Sequence, residues 1–342
     1  MPELRKDLIT ERWVIIATER AKRPHEFTPP PSASEPSQQA CPFCPGNESQ
    51  TPSELWVRRE SGGPNQRGWI VRVIPNKFPA LKIEGDMNRE AEGIYDRMNG
   101  IGAHEIIIDT PEHNQAIEEQ AIADIAVALT AAKERMIDLQ RDPRFRYILV
   151  FKNIGREAGA SLHHSHYQLI ATPVTPLTVK TKLTGAQDYY RRKERSVFHD
   201  IMRQEQREGT RVVFENAGFL VFCPFASRFP FELCVLPKRQ VADYYGIEAG
   251  ETLQLAEALK VTLGKLSRGL NKPQYNLIIQ TAPSRVGRRR SGYWDTIDQD
   301  FRWHIEILPR MTQTAGFEWG TGFYINPTPP EESAAYLRGV TP

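Results

Sequence analysis

The sequence predicts an α+β fold made of two repeated halves, and three observations support this prediction. The chain has 342 residues, which is long for one small hydrophobic core. Short apolar segments bounded by proline or glycine, typical of strands, alternate with longer segments that have the spacing of amphipathic helices. The same order of segments occurs twice along the chain, which indicates an internal duplication.

The first half contains four predicted strands and one long predicted helix. In the helix, apolar residues such as Ile125, Leu129 and Ala132 recur at helical spacing and define one apolar face. The strands are short, rich in isoleucine and valine, and end near Pro75, Pro111 and Pro173. The predicted strands cover residues 69–74, 104–109, 147–151 and 164–171, and the predicted helix covers residues 116–139.

The second half repeats this order. Its predicted strands cover residues 219–223, 231–236, 275–279 and 303–309, and its predicted helix covers residues 253–266. In this alignment His164 corresponds to His304, His166 to Glu306 and Gln168 to Leu308. We therefore expect two units, residues 1–175 and 176–342, with the charge-rich residues 174–212 joining the two halves.

Composition limits the possible classes of protein. The chain is 40% hydrophobic and 25% charged and has a formal charge of +2, so composition indicates no general attraction to nucleic acid. The N-terminal residues are charged, and no apolar run reaches the roughly 18 residues that a membrane span needs. We expect a cytoplasmic protein that neither spans a membrane nor binds nucleic acid.

A polar cluster lies on the last predicted strand of the first half. Because side chains alternate across a strand, His164, His166 and Gln168 should share one face. A solvent-facing strand is the alternative interpretation, but two histidines and a glutamine beside a glycine-containing loop favour a site. In the alignment above the second half keeps the histidine at the position of His164, but it does not keep the histidine of His166 or the glutamine of Gln168. We therefore predict that His166 and Gln168 are catalytic.

The chemistry that fits these residues is nucleotidyl transfer. An imidazole attacks phosphorus well near neutral pH, so His166 is the candidate nucleophile, and attack on an α-phosphate would form a nucleotidyl-histidine. The phosphate oxygens then need hydrogen-bond donors. Gln168 and the backbone of residues 159–161 are close enough in sequence to supply them.

A metal site is the second prediction. Cys41 and Cys44 have the C-x-x-C spacing that chelates one ion, and zinc often takes mixed cysteine and histidine ligands. A redox pair or chance spacing is the alternative. His113 and His164 are available to complete a zinc site that would clamp the proline-rich segment, residues 27–53, to the catalytic strand.

Over nearly its whole length the chain resembles the galactose-1-phosphate uridylyltransferases, within the histidine-triad superfamily. The resemblance implies two tandem histidine-triad-like repeats, each an antiparallel sheet with packed helices. It also implies a ping-pong transfer in galactose metabolism, in which UDP-glucose gives its uridylyl group to His166 and galactose 1-phosphate then accepts it, and it suggests a homodimer. The motifs that carry it are Asp7–Val14, Arg20–Pro24, Cys41–Cys44, Asn76–Leu81, Thr110–His113, His164–Gln168 and Gly316–Glu318.

The same resemblance assigns site residues by position. Cys41, Cys44, His113 and His164 would be the zinc ligands, and Phe317 and Glu318 would hold the hexose. For Arg20 and Arg23 a solvated surface role is an equal alternative. The residues that the resemblance implies for nucleotide and phosphate contacts are Arg20, Arg23, Asn76, Asn153, Ser161 and Gln168.

Two departures bear on the substrate and on a second metal. The family motif is His-Pro-His, and Ser165 stands in place of the proline, as in relatives described as ADP-glucose phosphorylases, which would use phosphate as acceptor. Some relatives bind a second metal in the C-terminal half. Only His304 and Glu306 are available for it here, so we predict that this metal is absent.

A different class of function is a zinc-dependent module that binds nucleic acid. It is suggested by the Cys41–Cys44 pair together with the basic segment of residues 285–290. This is the weaker hypothesis, because the sequence contains a single basic loop and no recognised nucleic-acid-binding module.

Overall fold

The computed structural model describes residues 1–22, 41–286 and 294–342. Their secondary structure consists mainly of short strands and seven helices. The strands are β1 (Glu3–Lys6), β2 (Trp13–Ile16), β3 (Trp56–Arg59), β4 (Trp69–Pro75), β5 (Glu90–Glu92), β6 (Tyr95–Arg97), β7 (Ala103–Ile108), β8 (Tyr147–Ile154), β9 (His166–Thr172), β10 (Val212–Glu215), β11 (Phe219–Phe222), β12 (Leu233–Pro237), β13 (Tyr275–Gln280), β14 (His304–Pro309) and β15 (Tyr324–Asn326). The helices are α1 (Ile122–Leu139), α2 (Leu177–Lys193), α3 (Val197–Glu208), α4 (Ala249–Gly269), α5 (Ile297–Asp300), α6 (Gly316–Thr321) and α7 (Pro330–Gly339).

Ten of the strands form one antiparallel sheet, in the order β10-β11-β12-β14-β13-β8-β9-β7-β4-β3. Strands β8 and β13 pair at its centre, where Phe151 lies opposite Ile278. Read outward from this pair, the two halves of the sheet have the same order of elements. The predicted α+β class is confirmed, and the mirrored strand order agrees with the predicted duplication.

The alignment between the two halves needs a correction of two residues. Strands β9 and β14 begin at His166 and His304. The Nδ1 atom of each ring lies near the backbone oxygen two residues earlier, 2.7 Å from that of His164 and 3.0 Å from that of Arg302. His304 is therefore the counterpart of His166, and the pairing of His166 with Glu306 was wrong. Side chains alternate between the two faces of a strand every two residues. Shifting the alignment by two residues therefore leaves the same residues on each face, and the alternation could not reveal the error.

One face of the sheet is covered by α1 and α4, which pack on each other as well as on the strands. Alternate strand residues, such as Ile107 and Leu169, point into this core and meet Leu129 of α1 and Leu259 of α4. These side chains are almost completely buried, and each contributes roughly 1.5–3 kcal/mol to folding. The helices therefore fix which residues of β9 face away from them, namely His166 and Gln168.

The opposite face is covered differently in the two halves. Over the second half, Leu183 of α2 and Phe198 of α3 pack against Leu236 of β12. Over the first half, Phe43 and Cys44 pack with Ile106 in a smaller cluster. The sequence analysis treated residues 174–212 only as a connection, yet they form α2, α3 and the first residue of β10.

The other predicted elements differ mainly at their ends. The helix predicted from residue 116 begins at Ile122, because Gln120 and Ala121 are extended after a short 3-10 turn at Ile117–Glu119. Strand β9 begins at His166, two residues later than predicted. A separate three-stranded sheet joins β1, β2 and β15. Among the described residues no helix is long and apolar enough to cross a membrane.

Candidate active site

His166 is the first residue of β9 and is 5% exposed. Its Nδ1 lies 2.7 Å from the backbone oxygen of His164, which can only accept, so Nδ1 carries the hydrogen and the lone pair is on Nε2. The Phe43 ring packs edge-on against the imidazole, with centroids 5.3 Å apart. Burial lowers the pKa of His166, and nearby Lys152 acts in the same direction, which favours the neutral, nucleophilic ring.

Ser165 anchors the start of β9 from the helix-covered side of the sheet. Its Oγ lies 2.6 Å from Lys152 Nζ and donates to Asp109 Oδ2 at 3.2 Å, while Lys152 and Asp109 form an ion pair at 2.7 Å. Lys152 and Asp109 are almost fully buried, and the Lys152 ammonium lies 4.5 Å above the Tyr167 ring. The serine therefore bonds away from the face that carries His166.

Cys41, Cys44, His113 and His164 form a buried cluster whose ligand atoms lie within 4.8 Å of one another. The Cys44 sulfur lies 3.2 Å from His113 Nδ1 and 3.5 Å from His164 Nδ1, and the Cys41 sulfur lies 3.7 Å from His164 Nδ1. Ligands around a tetrahedral ion with metal–sulfur and metal–nitrogen bonds of about 2.0–2.3 Å are separated by about 3.3–3.8 Å. The observed separations therefore fit one tetrahedral ion.

The surroundings of the cluster also fit a cation. His164 Nε2 donates to the backbone oxygen of Thr110 at 2.8 Å, which leaves the lone pair of Nδ1 pointing at the two sulfurs. Burial, together with the neighbouring Cys41, raises the pKa of Cys44 to about 12, so thiolates would need a cation to form here. These four residues, all predicted from the sequence, make a Cys2His2 group suited to a metal ion.

Gln168 lies two residues beyond His166 and contacts His104 of β7. Its Oε1 is 2.9 Å from His104 Nε2, and the other ring nitrogen of His104 accepts from the backbone nitrogen of Ala80 at 3.2 Å. The Asn76 amide nitrogen also approaches His104 Nε2, at 3.1 Å. The structure therefore brings Gln168 and Asn76 together, as the predicted site requires, and it places His104 between them.

Asn153 lies near the end of β8 and bonds to the second half of the chain. Its Oδ1 accepts from Asn276 Nδ2 at 2.7 Å, and Asn276 Nδ2 also donates to the backbone oxygen of Ala158 at 2.8 Å. The loop after β8 turns at Gly159, which has a φ of +88° and a nearby Asn153 amide nitrogen. Ser161 follows in this loop and is exposed.

The remaining predicted contacts are less closely tied to His166. Arg20 lies in a 3-10 turn at Thr18–Lys22, and Arg23 lies outside the described residues. Phe317 and Glu318 lie on α6, which packs on β15. Within the described ranges, no hydrogen bond, ion pair or ring contact joins these two residues to His166 or Gln168. Arg285 of the basic segment is paired with Asp243 and Asp298, and residues 287–290 are outside the described ranges.

The equivalent position in the second half is filled by an ion-pair cluster. Lys182 of α2 lies 3.3 Å from His304 Nε2 and 2.8 Å from Glu306, which also lies 3.3 Å from Arg228. Burial lowers the pKa of His304 to about 4, with Lys182 contributing to the shift. A cavity of about 1190 Å³ opens over these residues. His304 and its counterpart His166 thus differ at Nε2, because Lys182 lies beside this atom in His304.

Two positions near the site were not identified from the sequence. His104 was treated only as the start of a strand, although strand alternation places it on the same face as Ile106 and Ile108. Asn276 was treated only as part of a repeated strand. Its role depends on the pairing of β8 with β13, which joins residues more than 100 positions apart and leaves no local pattern.

The sheet with its two like halves, the buried His166 with its lone pair on Nε2 and the adjacent Cys2His2 group are features of an enzyme of the nucleotidyltransferase type. Comparison with known proteins agrees. A model of the galactose-1-phosphate uridyl transferase N-terminal domain matches residues 1–176, and the chain belongs to this family.

Two relatives cover almost the whole chain. The chain is 35% identical to an ADP-glucose phosphorylase of Arabidopsis thaliana, over 99% of its own length and 93% of that protein. It is 28% identical to the galactose-1-phosphate uridylyltransferase of Thermotoga maritima, over 99% and 98% of the two chains.

Solved structures show the same relationship. The crystal structure of an Arabidopsis thaliana ADP-glucose phosphorylase with bound ADP-glucose superposes with a TM-score of 0.84, at 33% identity over 100% of both chains. A uridylyltransferase structure superposes with a TM-score of 0.74, at 27% identity over 99% of this chain and 97% of the other.

Proposed function

We propose that the protein transfers a nucleotidyl group from a nucleoside diphosphate hexose through a covalent intermediate on His166. The observation that carries the proposal is the hydrogen bond between His166 Nδ1 and the backbone oxygen of His164, because it leaves the lone pair on Nε2. Family membership and the adjacent amides of Gln168 and Asn153 support the same chemistry.

The proposed reaction has two displacements at phosphorus. In the first, His166 Nε2 attacks the α-phosphorus, a nitrogen–phosphorus bond forms, and the bond to the β-phosphate oxygen breaks, releasing hexose 1-phosphate. In the second, a phosphate oxygen of the acceptor attacks the same phosphorus, and the nitrogen–phosphorus bond breaks to restore the neutral ring. Amide donors stabilise the charge on the phosphate oxygens in both steps.

For the substrates, the proposal is ADP-glucose as donor and inorganic phosphate as acceptor, which would give ADP and glucose 1-phosphate. The support is the 35% identity to an ADP-glucose phosphorylase, against 28% for the uridylyltransferase named above. The second candidate pair is UDP-glucose and galactose 1-phosphate, and the match of residues 1–176 to the uridyl transferase model favours it.

Zinc and a homodimer belong to the same proposal. Zinc fits two cysteines and two histidines in a buried tetrahedral arrangement, where it would hold the segment at Cys41–Cys44 against β9 and so fix the position of His166. On α6, Trp319 is 78% exposed and Phe317 is 45% exposed, which is consistent with a second copy covering this helix.

The test of the proposal is direct labelling of the protein. We expect ADP-glucose labelled in the α-phosphate to leave acid-labile, base-stable label on the wild-type enzyme and none on His166→Ala. The exposed His199→Ala is the matched control and should be labelled normally. A panel of ADP-glucose and UDP-glucose against phosphate and galactose 1-phosphate then identifies the substrate pair. Wild-type protein that no nucleotide sugar labels, or a labelled His166→Ala, would contradict the proposal.

A further inference from the structure

We infer that His104 and Asn276 are positioning residues that turn the side-chain amides of Gln168 and Asn153 so that both NH2 groups face the reacting phosphate. This inference rests on the proposed function. It follows from two chains of hydrogen bonds, each of which begins at a backbone group whose role as donor or acceptor is fixed.

The first chain begins at the backbone N–H of Ala80, which can only donate. It lies 3.2 Å from His104 Nδ1, so Nδ1 accepts and the ring hydrogen is on Nε2. That hydrogen points to the oxygen of Gln168, 2.9 Å away. Asn76 cannot accept this hydrogen. Its oxygen accepts from the backbone nitrogen of Phe78 at 2.9 Å, and the amide nitrogen that faces His104 has no lone pair to accept with. With its oxygen engaged, Gln168 has its NH2 group free for the site.

The second chain begins at the backbone oxygen of Ala158, which can only accept. Asn276 Nδ2 donates to it at 2.8 Å, and Arg310 Nε donates to Asn276 Oδ1 at 2.6 Å, so both ends of the Asn276 amide are assigned. The second hydrogen on Nδ2 points to Asn153 Oδ1, 2.7 Å away. Asn153 therefore also directs its oxygen away from the site and leaves its NH2 group free.

The two amides stand on neighbouring strands beside the nucleophile. Asn153 is on β8 and Gln168 is on β9, where Phe151 pairs with Gln168, and alternation places both amides on the face that carries His166. A phosphate that gains negative charge needs donors rather than acceptors around it. Because Asn276 and Arg310 follow residue 176, the second half of the chain completes the site of the first half.

The test uses variants that change hydrogen bonding at the two positioning residues. In Asn276→Asp the carboxylate cannot donate to Asn153, so the Asn153 amide should turn its NH2 group toward residue 276. In His104→Leu nothing donates to Gln168. We expect each variant to slow formation of the labelled enzyme in a single turnover by about 10- to 100-fold. This is less than the roughly 10²- to 10³-fold typical for removal of one donor, because the variants misalign the amide and do not remove it. The Kd for the nucleotide sugar should change less than about threefold, since the donors act mainly on the transition state.

A double-mutant cycle separates positioning from a general structural effect. If His104 acts through Gln168, His104→Leu should cause little further loss in a Gln168→Ala background, whereas Asn276→Asp should still lower the rate there. A structural defect would lower the rate equally in both backgrounds and would overturn the inference. His104→Gln, which retains a donor, should recover part of the rate.

Controls keep this result apart from the proposed function. His199→Leu and Gln299→Glu are matched changes at exposed positions and should react at the wild-type rate. If a variant loses its folded circular dichroism spectrum, His104→Ala and Asn276→Ala, which also lack a side-chain donor, replace it under the same expectations. Wild-type protein that is never labelled contradicts the proposed function. Labelled wild-type protein with both positioning variants at full rate contradicts only this inference.

Discussion

The side chain of Ser165 points away from the face of the sheet that carries His166. Its hydroxyl bonds to Lys152 and Asp109 on the helix-covered side of the sheet, whereas His166 faces the other side. A proline in its place could not make these bonds. The serine therefore interacts with buried neighbours, and it does not by itself identify the base or the acceptor.

The Lys152–Asp109 pair beneath the motif should matter for stability. Replacing Lys152 by methionine leaves the buried Asp109 carboxylate without its cation, which typically costs about 3–5 kcal/mol. We expect urea unfolding to show a loss of this size for Lys152→Met and less than about 0.5 kcal/mol for Lys180→Met, an exposed lysine of α2. Equal free energies of unfolding for the two variants would contradict this expectation.

On the scale of elements, the Cys2His2 group brings the segment at Cys41–Cys44 next to the start of strand β9. His164 immediately precedes β9, and its Nδ1 faces both cysteine sulfurs, so an ion there would tie the two elements together. Without an ion the same residues leave two buried thiols, and burial raises the pKa of Cys44. Metal binding should therefore contribute directly to folding.

Removing the metal tests this link. We expect elemental analysis to find about one metal ion per chain in the wild type and well below half in Cys44→Ser, while Cys234→Ala, away from the cluster, keeps its metal. An ion present at about 100 times its Kd stabilises by about 2.7 kcal/mol, so calorimetry should show a lower Tm after chelation. An unchanged Tm in the metal-free protein would argue against a structural ion.

The elements that the sequence predicted well are those with a strong local pattern. The apolar runs of β4, β8 and β13 and the helical spacing of α1 and α4 gave elements of the right type, with errors of a few residues at the ends. Contacts between distant elements could not be predicted in this way. Lys152 with Asp109, His104 with Gln168 and Asn276 with Asn153 depend on sheet pairing. Alternation also could not distinguish His164 from His166 as the counterpart of His304, because it repeats every two residues.

For the molecule as a whole, the main feature is that two halves with the same strand order have different surroundings. Helices α2 and α3 lie between the two halves in sequence and cover mainly the second half of the sheet, together with Tyr147 and Leu149 of the central strand β8. Through α2, Lys182 reaches His304 Nε2, whereas His166 Nε2 has no hydrogen bond or ion pair within the described part of the chain. The inserted helices thus explain why the duplicated fold has one candidate nucleophile.

The buried His304 should make stability depend on pH. Its pKa is about 4 in the folded protein, mainly through burial and then through Lys182, while Glu306, the hydrogen bond to the backbone oxygen of Arg302 and Asp7 oppose the shift. The ordinary value is 6.5. As the pH falls from 7 to 5 the unfolded chain gains a proton that folded His304 does not, so the free energy of unfolding should fall by about 2 kcal/mol.

Urea unfolding at pH 7 and pH 5 checks this contribution. The His304→Gln variant should lose less stability than the wild type between the two pH values, whereas His199→Gln at an exposed position should lose as much as the wild type. The pH range lies above the region where Glu306, whose pKa is lowered, would titrate. Identical losses in His304→Gln and the wild type would show that His304 does not carry the effect.

The central pairing of β8 with β13 has a consequence for dividing the chain. A fragment ending near residue 176 would keep His166 and all four residues of the Cys2His2 group. It would lose the neighbour of β8, exposing a row of unpaired backbone groups along the strand that carries Asn153, and such an edge invites association with other chains. The two halves of the sheet therefore depend on each other, because each covers a strand edge that the other would leave unpaired.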